Sequence, residues 1–193
     1  MTELLLVRHG ETDWNAERRW QGHADPPLNE QGRTQARELA DRLAGERVDA
    51  VYASDLRRAR ETAEIVAERL GAEVHSLPEL REIDVGNWSG LTTAEIGERF
   101  PGALERMKEH GYGWRDGETP PQLAERVLGA VRRIAAEHPA GRVLVVGHGG
   151  TIRAIRAAAA GVDYAEYRRR TPVVENCSVS RLTCEDGGFR PLD

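Results

Sequence analysis

Residues 3–10 read Glu-Leu-Leu-Leu-Val-Arg-His-Gly, and this short stretch decides the fold class. Four consecutive apolar residues that end at a basic pair predict a strand over residues 3–7, buried on both faces. Strands of this kind belong to parallel sheets that helices cover on both sides. Arg8 and His9 then stand at the carboxyl end of the strand, where active sites lie in such sheets.

Strand and helix patterns alternate along the rest of the chain. Further strands are predicted over 48–53, 72–77, 143–146 and 173–184, the last of them antiparallel. Helices are predicted over 32–43, from an N-cap at Ser54 to Leu70, from a capping box at Thr119 to Pro139, and over 152–160. The alternation predicts an α/β fold, a three-layer α/β/α sandwich with a mostly parallel central sheet.

The domain organisation follows from the absence of any linker or repeat. We expect residues 1–193 to form a single domain, with the irregular, glycine-rich residues 78–120 as a cap over the active site. A net charge of −5 argues against nucleic acid or a membrane as partner. No apolar run reaches the length of a membrane span, so a cytoplasmic location is expected. Cys177 and Cys184 lack any zinc or CxxC spacing, and we expect two reduced thiols in the last strand.

Two histidines occupy equivalent places behind predicted strands. His9 follows the first strand, His148 follows the strand over 143–146, and a glycine follows each of them. Alone, the Arg8-His9 pair fits the polar end of a surface strand. Two histidines that meet at one sheet edge with an arginine form an anion pocket, in which a neutral imidazole can attack phosphorus. Backbone amides behind Gly149 would add donors to the anion.

Arg58 and Glu82 are the candidates that complete this chemistry. Arg58 stands in the first turn of a helix, where a cation opposes the helix dipole unless it meets an anion. The leaving oxygen needs a proton, and Glu82 lies in a loop whose apolar anchors and glycines suit a held carboxyl group. Glu79 and Asp84 stand in the same loop, and spacing alone does not exclude them.

Four motifs, in this order, resemble the histidine phosphatase superfamily, the phosphoglycerate-mutase-like group. They are Arg8-His9-Gly10-Glu11-Thr12, Ser54-x-Leu56-x-Arg58-Ala59-x-x-Thr62-Ala63, Leu80-x-Glu82 with Gly86-x-Trp88-x-Gly90, and His148-Gly149. The resemblance covers most of the chain. It implies the fold of that group, a catalytic site without a metal ion, and no cofactor.

The resemblance also implies a role for each site residue. His9 becomes the phosphohistidine nucleophile, and Glu82 becomes the proton donor and later the base. Arg8, Arg58 and His148 form the phosphate pocket. Further contacts with phosphate or substrate are implied for Asn15, Gln21, Gly22 and Gly149.

The implied function is hydrolysis of small phosphomonoesters, either sugar phosphates or phosphoglycerate-type metabolites. A cofactor-dependent phosphoglycerate mutase is the alternative, but family mutases look longer between the acid and the second histidine. The segment between Glu82 and His148 is short here, which favours a phosphatase. A non-catalytic regulatory domain fits less well because both the nucleophile and the acid are present.

The leaving-group side of the site is left open by the sequence. Four aromatic residues of this region could form a wall against the substrate or could simply pack the cap: Trp20, Trp88, Tyr112 and Trp114. Three arginines could bind a carboxylate of the substrate or could simply be solvated: Arg18, Arg19 and Arg115. A homodimer through an edge strand or an apolar helix face is compatible with the chain, which gives no direct indication of one.

Overall fold

A computed structural model of the chain describes residues 1–192, with six strands and eight α-helices. The strands are β1 (Thr2–Arg8), β2 (Ala50–Ala53), β3 (Val74–Ser76), β4 (Arg142–Gly147), β5 (Val179–Glu185) and β6 (Gly188–Pro191). The helices are α1 (Asp13–Ala16), α2 (Glu30–Leu43), α3 (Arg57–Leu70), α4 (Thr93–Arg99), α5 (Ala103–His110), α6 (Pro120–Glu137), α7 (Gly149–Ala160) and α8 (Tyr164–Arg170). Over residues 1–192, none of these helices has both the length and the apolar character needed to cross a bilayer.

The strands form a sheet in the order β3-β2-β4-β1-β5-β6. Parallel pairs join β1 to β4, β4 to β2 and β2 to β3, while β5 and β6 are antiparallel. Arg8 at the end of β1 lies opposite Gly147 at the end of β4. His9 and His148 therefore leave the sheet side by side, and the predicted mostly parallel sheet is confirmed.

Apolar residues of the central strands alternate between two buried layers. Leu4 and Leu6 of β1 face a cluster that includes residues of α6 and α7. Leu5 and Val7 face the opposite cluster, under α2 and α3. Neighbouring residues of a strand point to opposite faces, so a strand buried in two layers needs a continuous apolar run. The three-layer α/β/α sandwich is thus confirmed.

Two helix starts differ from the sequence predictions. The N-cap of α3 is Leu56 rather than Ser54. The hydroxyl oxygen of Ser54, three residues before the helix begins, instead accepts the N–H of Leu56 at 3.3 Å. Helix α7 begins at Gly149, directly after His148, and not at residue 152. The capping box at Thr119 is confirmed, because its N–H and hydroxyl both donate to Gln122 Oε1 at 2.8 and 2.9 Å.

The predicted strand over 173–184 is wrong in its first half. The strand begins at Val179, and Cys177 lies in a turn with φ of 54° rather than in a strand. The physical reason is that Cys177 N–H donates to Arg8 O at 2.9 Å and Asn176 Nδ2 to His9 O at 2.7 Å, so this segment crosses the end of β1. Helix α8 and strand β6 were not predicted.

Candidate active site

A cavity of about 580 Å³ lies at the carboxyl ends of β1 and β4. Eight of the nine site residues chosen from the sequence line it, namely Arg8, His9, Asn15, Gln21, Gly22, Arg58, Glu82 and Gly149. The ninth, His148, is fully buried against His9, with the two ring centroids 5.1 Å apart. The structure therefore brings the predicted residues together at one sheet edge.

The His9 imidazole has a defined tautomer. Its Nδ1 lies 2.6 Å from the carbonyl oxygen of Gly10. A carbonyl oxygen only accepts, so Nδ1 carries the proton and Nε2 keeps its lone pair. Burial lowers the pKa of His9 well below its ordinary value of 6.5, and the charges of Arg58 and Arg8 lower it further. The ring is therefore neutral near pH 7 and able to act as a nucleophile.

The backbone around His9 is held on several sides. Asn176 Nδ2 donates to the carbonyl oxygen of His9 at 2.7 Å, and the N–H of Gly10 donates to Thr62 Oγ1 at 3.0 Å. A Cβ at position 10 would lie 2.5 Å from the carbonyl oxygen of Gly32, so only glycine fits between β1 and the start of α2. Asn176 was not singled out from the sequence, because its segment was expected to be a strand.

Arg58 places a buried cation beside His9. Its side chain is 0% exposed, and it donates to the carbonyl oxygens of Ala24 at 2.7 Å and Gly22 at 2.9 Å. Its Nε is buried without a partner. Burial lowers the pKa of Arg58 to about 10, so the guanidinium stays charged at neutral pH.

Arg8 and His148 add unused donors at the same point. Arg8 donates from Nη1 to Val174 O at 2.8 Å, but its Nε has no partner. Both ring nitrogens of His148 are buried and unpartnered. Burial lowers the pKa of His148, followed by the charge of Arg58, so this ring is neutral too. Buried donors without partners are rare and costly, and an oxyanion at this position would accept from Arg8 Nε and from the protonated nitrogen of His148.

Of the three candidate carboxylates in this loop, Glu82 is the one that lines the cavity. The N–H of Gly150, at the start of α7, donates to both carboxyl oxygens of Glu82 at 3.0 and 3.1 Å. Glu79 instead pairs with Arg133 at 2.8 Å, and Asp84 accepts the N–H of Gly86 at 2.9 Å. The structure therefore separates three carboxylates that spacing left as alternatives.

Two side chains hold the loop of Glu82 in place. Arg126 of α6 donates to the carbonyl oxygens of residues 79, 81 and 82 at 2.8, 3.1 and 3.3 Å, and it pairs with Glu118 at 2.6 Å. His23 Nε2 donates to the same carbonyl oxygen of Glu82 at 2.9 Å. Arg126 was not predicted from the sequence, since it resembles any arginine on the polar face of a helix.

The predicted substrate loop at Gln21 and Gly22 contacts both Thr12 and Arg58. Gln21 Nε2 donates to Thr12 Oγ1 at 2.9 Å, while Gln21 Oε1 is buried without a partner. Asn15 Oδ1 accepts the Thr12 N–H at 3.1 Å and closes the capping box of α1. Gly22 adopts φ of 51°, and its carbonyl oxygen accepts from Arg58. Asn15, Gln21 and Gly22 therefore shape the cavity wall beside Arg58.

Aromatic and basic residues line the remainder of the cavity. Trp20 and Trp114 reach it, whereas Trp88 is fully buried and does not. Arg18 and Arg19 also line it, and Arg19 pairs there with Glu17 and Glu95 at 2.7 and 3.0 Å, whereas Arg115 is absent from the wall. The further wall residues that were not chosen from the sequence include Arg153 of α7, Tyr164, Arg168 and Arg169 of α8, and Lys108 of α5.

Comparison with known proteins gives consistent matches over nearly the whole chain. The sequence profile of the histidine phosphatase superfamily (branch 1) matches residues 4–193. The phosphoglycerate mutase-like protein 4 of Arabidopsis thaliana is 38% identical over 190 residues, which are 96% of this chain and 80% of that protein. The metal-independent phosphoserine phosphatase of A. thaliana is 44% identical over 160 residues, 80% of this chain and 67% of that protein. A solved mycobacterial glucosyl-3-phosphoglycerate phosphatase has a TM-score of 0.88 at 34% identity, covering 97% of this chain and 95% of its own.

Proposed function

The chain belongs to the histidine phosphatase superfamily (branch 1), and we propose that it hydrolyses small phosphomonoesters through a phosphohistidine on His9. The observation that carries the proposal is the His9 ring, which is neutral, fixed by Gly10 O at 2.6 Å, and flanked by two arginines with unpartnered Nε atoms. An anion is required to satisfy those donors, and a phosphate dianion matches the forked geometry of the guanidinium groups. The names of two relatives as phosphatases add support.

In the first step, Nε2 of His9 attacks phosphorus and the bond from phosphorus to the ester oxygen breaks. The electron pair of that bond goes to the ester oxygen, which takes a proton from the Glu82 carboxyl group and leaves as an alcohol. Arg8 and Arg58 neutralise the phosphoryl oxygens, and an N–H of His148 donates to one of them. The N–H of Gly150 holds Glu82 in reach, with contacts of 3.0 and 3.1 Å.

In the second step, water attacks the phosphohistidine. The Glu82 carboxylate takes a proton from this water, the bond from phosphorus to Nε2 breaks, and inorganic phosphate leaves. His9 and protonated Glu82 return to their starting states. Two displacements of moderate difficulty replace a single difficult one.

Phosphoglycerate mutase is the second candidate, since one relative carries the name phosphoglycerate mutase-like protein. A mutase has to retain a bisphosphate and exclude water, and the short segment between Glu82 and His148 favours the phosphatase. Release of inorganic phosphate from simple phosphomonoesters, without added 2,3-bisphosphoglycerate, is the expected result. Efficient interconversion of 3- and 2-phosphoglycerate with little phosphate release would reverse the assignment.

We propose that residues 1–193 act as one domain and that residues 78–120 cap the site, supported by Met107, Gly111 and Trp114 in the cavity wall. The small phosphorylated substrate, the absence of a metal ion and the cytoplasmic location belong to the same proposal. Dimerisation stays a prediction to be tested by sedimentation.

The enzymatic proposal is tested by comparing two histidine variants. His9→Ala should abolish phosphate release from p-nitrophenyl phosphate. His110→Ala, which changes an exposed ring at the end of α5, should release phosphate at the wild-type rate. Wild-type chain that releases no phosphate from any phosphomonoester would instead favour the regulatory-domain alternative.

A further inference from the structure

Tyr164, the first residue of α8, places a hydroxyl group beside the acid Glu82. The side chain lines the cavity and is 8% exposed. Asp163 accepts two backbone N–H groups of the same helical turn, at 2.8 and 3.2 Å, and fixes that turn in place. A Cβ on Gly150 would overlap Glu82 Oε1 and would lie 3.4 Å from the Tyr164 hydroxyl oxygen. Both oxygens therefore lie next to one point above Gly150.

The space between the hydroxyl and the carboxyl group suits one water molecule. Among the hydrogen bonds of residues 1–192, none joins Tyr164 to Glu82 directly. Glu82 Oε1 accepts the N–H groups of Ile83 at 2.8 Å and Gly150 at 3.0 Å, whereas Oε2 has the single, longer contact of 3.1 Å with Gly150. Two polar groups that lie near one point without bonding each other are commonly bridged by water.

The less occupied oxygen of Glu82 faces the phosphate pocket. A Cβ on Gly149 would lie 3.9 Å from Glu82 Oε2 and 4.0 Å from Arg8 Nε. Oε2 is therefore the atom that gives a proton to the departing alcohol and takes one from the incoming water. That water also needs a second group to hold it, so that its lone pair points at phosphorus.

Few side chains of the cavity wall can accept a hydrogen bond from this water, since arginine, lysine and tryptophan only donate. Within residues 1–192, the side-chain acceptors of the wall besides His9 and Glu82 are Asn15, Gln21, Met107 and Tyr164. Asn15 Oδ1 already accepts the N–H and the hydroxyl of Thr12 at 3.1 and 3.0 Å, and Gln21 is held by the same threonine at 2.9 Å. Met107 Sδ accepts from an arginine of α8 at 3.2 Å. Tyr164 is left as the acceptor beside the acid.

The Tyr164 hydroxyl stays neutral at physiological pH. Burial, followed by the nearby Glu82, raises the pKa of Tyr164 to about 12, although Arg153 and Arg168 oppose the rise. A neutral phenol does not repel a phosphoryl dianion, as a second carboxylate would. It also does not compete with the Glu82 carboxylate for the proton of the water.

We propose that Tyr164 is a further catalytic residue, which holds the water that hydrolyses the phosphohistidine. This inference rests on the proposed phosphatase function. The water donates one hydrogen bond to the phenol oxygen and one to Glu82 Oε2. As its oxygen bonds to phosphorus, the bond from phosphorus to Nε2 breaks and the electron pair returns to His9. Glu82 takes one proton from the water, and Tyr164 keeps its own.

The test is Tyr164→Phe, which removes the hydroxyl and keeps the ring. A single turnover with the chain in excess over p-nitrophenyl phosphate gives two rates: p-nitrophenolate absorbance reports formation of the phosphohistidine, and base-quenched phosphohistidine reports its decay. Decay should slow roughly two- to tenfold, the value of one hydrogen bond between neutral groups. Formation should keep the wild-type rate, because p-nitrophenolate leaves before the water acts, and this rate also shows that the variant folds. Once decay limits turnover, kcat and KM should fall together and leave kcat/KM unchanged.

Tyr167→Phe is the matched control, because Tyr167 stands on the same helix under the Arg156 guanidinium, 5.9 Å from its ring centroid, and is absent from the cavity wall. It should keep both wild-type rates. Decay at the wild-type rate in Tyr164→Phe, or a loss confined to formation, would overturn the role of Tyr164 while the phosphatase stands. A wild-type chain that forms no phosphohistidine would overturn the proposed function and this inference with it.

Discussion

Gly150→Ala should disable the acid without disturbing the nucleophile. A Cβ at position 150 would overlap Glu82 Oε1 and displace the carboxyl group from the N–H of Gly150, which holds it at 3.0 and 3.1 Å beside the N–H of Ile83 at 2.8 Å. Losing a hydrogen bond to a charged group costs about 1.5–3 kcal/mol, or roughly 10- to 100-fold in rate. A misplaced general acid costs at least about 10²-fold. We therefore expect kcat/KM for an alkyl phosphate to fall about 10²-fold.

The leaving group distinguishes this loss from general damage to the site. An alkoxide needs the proton of Glu82, whereas p-nitrophenolate leaves without one, so kcat/KM for p-nitrophenyl phosphate should fall much less. Gly129→Ala is the matched control, since its Cβ would meet only Arg133 Nη1 at 3.9 Å in the middle of α6. It should raise the free energy of unfolding by up to about 1 kcal/mol and leave the kinetics unchanged. Wild-type hydrolysis of alkyl phosphates by folded Gly150→Ala would refute the assignment of Glu82.

Three further predictions concern titration and stability. The pKa of His9, followed by NMR, should lie below 6.5 in the wild-type chain and should rise in Arg58→Gln. Because the unfolded wild-type chain binds this proton more tightly than the folded chain does, the free energy of unfolding should fall as the pH drops below about 6.5. A free energy of unfolding that stays flat between pH 7 and 5 would contradict this. Arg126→Gln should lower the free energy of unfolding in urea by about 3 kcal/mol, because it leaves Glu118, whose side chain is 14% exposed, without its ion-pair partner. Arg133→Gln breaks an exposed pair with Glu79 and should lower it by under about 1 kcal/mol. Equal losses in the two variants would contradict the role of Arg126 in holding the Glu82 loop. Burial raises the pKa of Cys177 to about 12, so a thiol reagent at pH 8 should label this residue only after denaturation, and rapid labelling of the native chain would contradict the burial.

The central sheet could be predicted because its signals are local. The continuous apolar runs of β1 and β4 leave no alternative to double burial, and the residues that follow them must emerge at one edge. These two runs alone are enough to predict that His9 and His148 lie together. Glu82 was harder, since Glu79 and Asp84 share its loop. Only the Gly150 N–H, far away in sequence, distinguishes them.

The unpredicted parts depend on contacts between distant segments. The apolar alternation over 173–184 predicts one strand, yet its first half crosses the end of β1, where Arg8 O and His9 O accept its donors. Helix α8 was missed for the same reason, and with it the position of Arg168. In sequence, Arg126 and Arg153 cannot be distinguished from solvated arginines, because only the packing of α6 and α7 against the acid loop and α8 gives them partners.

Phosphate trapped on His9 tests the proposed mechanism most directly. The chain should be mixed with a phosphomonoester, quenched in base within one turnover, and analysed by mass spectrometry of its peptides. The expected result is a phosphate that is stable in base, labile in acid, located on the peptide that carries His9, and absent from His9→Ala. Phosphate release by the wild-type chain at full rate with no labelled His9, or continued release by His9→Ala, would contradict the phosphohistidine mechanism.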